Sequence, residues 1–130
     1  MEDEIVRNAK GFTLIELLMV VVIIGILVTV GIPKFLGVKQ KAYVASMQSD
    51  LKTLVTVEEA YFADNVTYAT TTANLNYIAS AGNTVTITGA DGTGWAATAQ
   101  NGLTPKVCGI YVGSATPPTG ATVEGSPGCQ

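Results

Sequence analysis

The sequence predicts an α+β protein, with one long N-terminal α-helix packed against a small antiparallel β-sheet head. Three observations carry that reading. Phe12 to Ile32 is a 21-residue run, apolar apart from two threonines and Glu16. Behind it, apolar residues recur at three- and four-residue spacings as far as Phe62. Beyond Asn65 this period gives way to short alternating runs separated by Gly- and Asn-containing turns. A chain of 130 residues has room for one small soluble domain besides the apolar run.

The run is preceded by a short charged stretch, MEDEIVRNAKG. As a helix the run reaches about 32 Å, enough to cross a hydrocarbon core of about 30 Å. A secretory signal peptide would have a shorter apolar core and a small-residue cleavage site after it. The run is therefore expected to stay with the mature protein. Gly25, Gly31 and Pro33 are its weak points, at about 1 kcal/mol for each Gly and about 3 kcal/mol for an interior Pro. Such residues are ordinary in membrane helices, or they mark a section between Gly25 and Pro33 that unwinds. From Lys34 the pattern becomes amphipathic, with Val44, Met47, Leu51, Leu54, Val55, Tyr61 and Phe62 on one side. The helix is expected to continue to about Asp64. Phe12 to Ala63 as one helix would be about 78 Å long, a length that suits side-by-side bundling.

In the head, residues 67–80 read as a polar connector anchored at Tyr68, Leu75, Tyr77 and Ile78. Thr84–Thr88 and Trp95–Gln100 alternate on either side of the turn Gly89–Gly94 and form a hairpin. Val107–Val112 is a third strand, and a Pro/Gly/Thr-rich tail runs on to Cys129. Cys108 and Cys129 lack the spacing of a metal or redox site. Outside the cytoplasm they are expected to form one disulfide that pins the tail to the third strand, worth about 3 kcal/mol in the chain-entropy model. The alternative is two buried free thiols.

The chemistry excludes several classes. The net charge is −3, and no basic cluster stands outside the flank of the apolar run, which argues against nucleic acid as a partner. Without histidine there is no Ser–His or Cys–His nucleophile and no histidine-ligated metal. No catalytic residue, metal or cofactor is expected, and the chain does not read as an enzyme. Of the acids Asp50, Glu58, Glu59, Asp64, Asp91 and Glu124, most are placed on the solvated face of the helix. Gly89–Gly94 precedes a strand rather than a helix, so it reads as a hairpin turn and not a phosphate cradle. Asp91 with loop carbonyls would bind calcium weakly at most.

Glu16 is the residue that bears on function. A lone carboxylate in a membrane segment costs a few kcal/mol, and no Lys, Arg or His lies within the run to partner it. It either snorkels into the headgroups or meets a cation from elsewhere. Gly11-Phe12-Thr13-Leu14-Ile15-Glu16, followed by a long apolar helix with Pro33 near its end, resembles a type IV pilin precursor or a related pseudopilin. The resemblance is strong from Lys10 to about Ala63. It implies the pilin fold and four segments: a cleaved leader over 1–11, an apolar transmembrane and assembly helix over 12–33, an amphipathic continuation over 34–65 and a globular head over 66–130. It implies cleavage between Gly11 and Phe12 by a prepilin peptidase on the cytoplasmic face, and N-methylation of Phe12. Glu16 would pair with the Phe12 amine of a neighbouring subunit, and the section between Gly25 and Pro33 would unwind in the filament.

The partners so implied are other copies of the chain in a helical homopolymer, the peptidase and pilus assembly machinery, and the membrane before assembly. The expected location is an inner-membrane single-pass precursor with an extracytoplasmic head, then an extracellular pilus filament. Counting Lys and Arg alone, Arg7 and Lys10 precede the span while Lys34, Lys39 and Lys41 follow it. Orientation thus rests on the leader resemblance and the cysteine pair. The alternatives are a pseudopilin of a type II secretion system and a membrane-anchored binding module that never polymerises. Major pseudopilins tend to carry an acidic calcium loop near the C-terminus, which this sequence lacks, and a mere tether needs neither Glu16 nor a processing motif.

Overall fold

The computed structural model describes residues 11–130, so the expected leader lies, except for Gly11, outside the described residues. Helix α1 runs Leu14–Asn65, with Pro33 inside it. Two compact units divide between Gly37 and Val38. In the first, every described side chain is exposed, and the apolar ones from Phe12 onward have no core to enter. Among the described residues, α1 is the helix long and apolar enough to cross a membrane.

The second unit has its own core. The end of α1 is closed locally, where the Val66 amide donates to the Phe62 carbonyl at 2.8 Å and the Asn65 side-chain amide to the Tyr61 carbonyl at 2.9 Å. Val66 takes a positive φ of 56°, the left-handed geometry that ends many helices. A connector containing a short 3-10 turn, Thr72–Leu75, leads into the sheet.

The sheet is antiparallel with order β1-β2-β3-β4. Its strands are β1 Asn83–Ala90, β2 Gly94–Asn101, β3 Val107–Gly113 and β4 Gly128–Cys129. Three strands were expected, and the fourth is new. It comprises only two residues, paired as Cys108↔Cys129 and Gly109↔Gly128.

Strand alternation points Trp95, Ala97 and Ala99 of β2, with Cys108 and Ile110 of β3, at one side of the sheet. They form one buried cluster with Met47, Leu51 and Leu54 of α1 and with Ala69 and Leu75 of the connector. The two alanines leave room for the larger helix side chains at close-packed density. The opposite side of β2 and β3 is covered as well, since Ala96 and Gly109 are also buried. There the tail crosses β3, and the Thr119 carbonyl and the Pro118 ring stand where a Cβ on Gly109 would be.

Two further expectations are corrected. Asp50 and Glu58 are buried rather than solvated, because the connector folds back over their face of α1 and brings main-chain donors to both carboxylates. Ile78 is not an anchor: it is 90% exposed, whereas Leu75 is buried and Tyr68 and Tyr77 pack against the core. The acids of α1 therefore lie on two environments, not one.

Candidate functional site

Helix α1 starts from the sequence Thr13-Leu14-Ile15-Glu16. The Glu16 carboxylate accepts from the Thr13 main-chain N–H at 2.8 Å and from the Thr13 hydroxyl at 2.7 Å. In return the Glu16 N–H donates to Thr13 Oγ1 at 3.3 Å. The Thr13 carbonyl accepts the Leu17 amide at 3.2 Å. This reciprocal pair is a capping box, which satisfies amides that the first helical turn leaves without partners. In apolar surroundings those amides would be costly to leave unpaired. The negative charge also suits the positive end of the helix dipole. This capping role is in addition to the charge-pairing role expected for Glu16, and its sequence signal is the T-x-x-E spacing.

Glu16 is thus placed at the exposed start of the apolar run and held by its own helix. Gly11 and Phe12 lie just ahead of it in exposed, non-helical chain, the kind of segment that proteases cut most readily. The structure brings Thr13 and Glu16 together, with Phe12 the residue just before them. It leaves Gly25, Gly31 and Pro33 farther along α1, where the chain is helical throughout. Within that section the Thr29 hydroxyl donates to the Gly25 carbonyl at 2.9 Å. Pro33 has no N–H, so it cannot donate to the carbonyl of Thr29 as an ordinary residue would.

In the head, Cys108 and Cys129 form the expected disulfide. Val107 and Gln130 exchange both main-chain hydrogen bonds, at 3.0 and 3.1 Å. That makes the adjacent Cys108–Cys129 pair a non-hydrogen-bonded one, where side chains approach most closely. Asp50 accepts from the Ser80 amide at 3.0 Å, the Ser80 hydroxyl at 2.7 Å and the Asn83 amide group at 2.7 Å. Its main-chain carbonyl accepts from the Tyr77 hydroxyl at 3.1 Å. Burial, with the Asp50 charge nearby, pushes the Tyr77 hydroxyl up to about 12. Asn83 in turn accepts from Asn101, its register partner across β1 and β2, at 2.7 Å. This network binds α1, the connector and two strands, and it is structural.

Asp91 is turned on its own loop. Its Oδ1 accepts from the Thr93 amide at 2.6 Å, the Thr93 hydroxyl at 2.7 Å and the Gly94 amide at 3.0 Å. Those bonds, the Thr93 hydroxyl foremost, hold its carboxyl below the usual range. The loop offers donors rather than the carbonyl oxygens a calcium ion would need. Among the described residues no group of three or more His, Cys, Asp or Glu side chains gathers as a metal site would require.

A family profile described as a prokaryotic N-terminal methylation motif matches residues 6–32. The chain is 45% identical over 69 residues to the type IV wide pilus major component PilA4 of Thermus thermophilus, covering 53% of each chain. It is 37% identical over 75 residues to the type II secretion system core protein G of Klebsiella pneumoniae, covering 58% of this chain and 54% of that one. With the type IV major pilin PilA of Myxococcus xanthus it shares 35% identity over 77 residues, 59% of this chain and 34% of that one. The chain thus spans about half the length, or less, of these relatives. The methylation motif and these likenesses tie the chain to the type IV pilins and type II secretion pseudopilins, and its apolar helix ahead of a small antiparallel sheet is consistent with the α+β pilin fold.

Proposed function

We infer that the chain is a structural subunit of a type IV pilus, made as a membrane-anchored precursor and polymerised through its N-terminal helix. A prepilin peptidase cuts between Gly11 and Phe12, and Phe12 is then N-methylated. The new amine of an incoming subunit pairs with Glu16 of a subunit already docked. The Gly25–Pro33 section yields as the helices pack, and the head ends outside the cell. The observation that carries this reading is an exposed apolar helix with one acid, joined to a prepilin-type N-terminus. Such a helix needs lipid before assembly and neighbouring helices after it. An isolated buried charge needs a counter-ion, and breaking a buried ion pair costs about 3–5 kcal/mol. That penalty favours the register in which amine and carboxylate meet.

The test is Glu16→Ala, with filament yield by electron microscopy beside a blot for mature subunit in the membrane. Insertion and cleavage should persist while filaments are lost. Abundant normal filaments from a stably expressed variant would overturn the reading.

A second reading, a pseudopilin of a type II secretion machine, is favoured by likeness to core protein G from several bacteria. Two features support the pilus reading over it: the tail is closed by a disulfide, and the sequence has no acidic C-terminal loop. Deleting the gene separates the two readings. Loss of surface filaments with secretion intact supports the pilus, and the reverse supports the secretion machine.

A further inference from the structure

Glu58 is fully buried. Its Oε2 accepts the Ala69 amide at 2.9 Å, while its Oε1 has no partner. Among the described residues, Nε1 of Trp95 is also buried without a partner, and Ala69 and Trp95 belong to one core cluster. A carboxylate with one oxygen dry and unsatisfied is expensive when ionised and much less so when neutral.

The charges around Glu58 do not relieve it. Next to it on α1 is Glu59, which accepts from the Tyr68 hydroxyl at 3.1 Å; Tyr61 follows within a turn, and farther off on either side stand Asp50, Lys52 and Asp64. On the connector the titratable neighbour is Tyr68, whose amide donates to the carbonyl of Asp91 in the β1–β2 turn. The nearest cation along α1, Lys52, is exposed and six residues away in sequence. Burial pushes its carboxyl up; the Ala69 amide pulls the other way by less, and the Glu59 charge adds a still smaller push upward.

We propose that Glu58 is an internal proton-binding site that makes the head firmer in acidified medium than at neutrality. Protonation removes the buried charge. It also changes the Ala69 hydrogen bond from a charge-assisted one to a neutral one, so Ala69 marks the event locally. Because the folded head holds this proton more tightly than the unfolded chain, the stabilisation is complete below the ordinary glutamate value. It is lost as pH rises through the raised folded one.

The experiment uses the full chain in detergent micelles, titrated by amide and indole NMR and followed by thermal unfolding. The Ala69 amide and Trp95 indole signals should shift together, with one midpoint above 4.5, the ordinary value for glutamate. The melting temperature should rise as pH falls from neutrality through that midpoint and on towards 4.5. Glu58→Gln should flatten both signals and melt higher than the parent at neutral pH, while Glu59→Gln keeps the titration. An Ala69 amide that stays flat in the parent, or titrates at or below 4.5, overturns the proposal, and so does a titration that survives in Glu58→Gln. The parent and Glu59→Gln measurements decide the matter even if Glu58→Gln fails to fold.

Discussion

Glu16 accepts two hydrogen bonds from Thr13 within its own helix, so helix capping and pairing between subunits are separable roles. Glu16→Gln keeps an oxygen that can accept from Thr13 and removes only the charge. If pairing with the Phe12 amine drives assembly, this variant should insert and be cleaved normally while its filament yield collapses. Thr13→Ala should do the converse, weakening the helix start by about 1 kcal/mol and lowering filament yield only partly. Filament counts beside membrane blots for both variants check this. Val66 offers a second test at the same scale. A β-branched residue at φ 56° sits in a region that costs about 1–2 kcal/mol, and its side chain is mostly exposed. Val66→Gly should therefore stabilise the head by about 0.5–1 kcal/mol, after allowing for the greater freedom of Gly in the unfolded chain. Thermal unfolding should show an increase of a few degrees, whereas Val66→Ile should show none.

The tail is held at the scale of elements by β4, which alone would be too short to stay paired. The disulfide closes a sequence separation of 21 residues and restricts the unfolded chain accordingly. Cys129→Ser should cost about 2–5 kcal/mol, read from denaturant unfolding, and thiol labelling of the native parent should find neither cysteine reactive. The same tail lies against β3 so closely that Gly109 has no room for a methyl group, with main-chain atoms of Thr119 in its place. Gly109→Ala should cost about 1–3 kcal/mol, as overpacking does, and should loosen the tail without opening the β1–β2 hairpin. Hydrogen exchange would separate the two: Val107 and Gln130 amides should lose protection while those of the hairpin keep theirs.

On the scale of the whole molecule, one unit has no core and the other has a complete one. A chain starting at Val38 should therefore fold as a soluble, oxidised head with a cooperative thermal transition. Circular dichroism and intact mass would check it. Filament protein should itself begin at Phe12, with a mass short of Met1–Gly11 and raised by one methyl group. Mature subunits that still carry those eleven residues would contradict the processing proposal.

The features that the sequence determined by itself are those written in consecutive residues. A 21-residue apolar run, the hexapeptide from Gly11 to Glu16, and two alternating segments on either side of a Gly-rich turn are local patterns. They need no knowledge of what packs against them. The Thr13–Glu16 capping box is equally local, written in the T-x-x-E spacing. The two cysteines could be paired because their spacing fits no metal or redox site and an extracytoplasmic head favours oxidation. Tertiary structure alone decided the rest. Two residues cannot show alternation, so β4 becomes a strand only when β3 lies beside it. Asp50 and Glu58 fall in step with the apolar stripe, Asp50 three residues after Met47 and Glu58 four after Leu54, but a charged side chain taken alone reads as solvated. What buries them is the connector that returns over α1 and offers the Ser80 and Ala69 amides. Burial depends on which segment covers a residue, and that information is distributed along the chain rather than held at the residue itself.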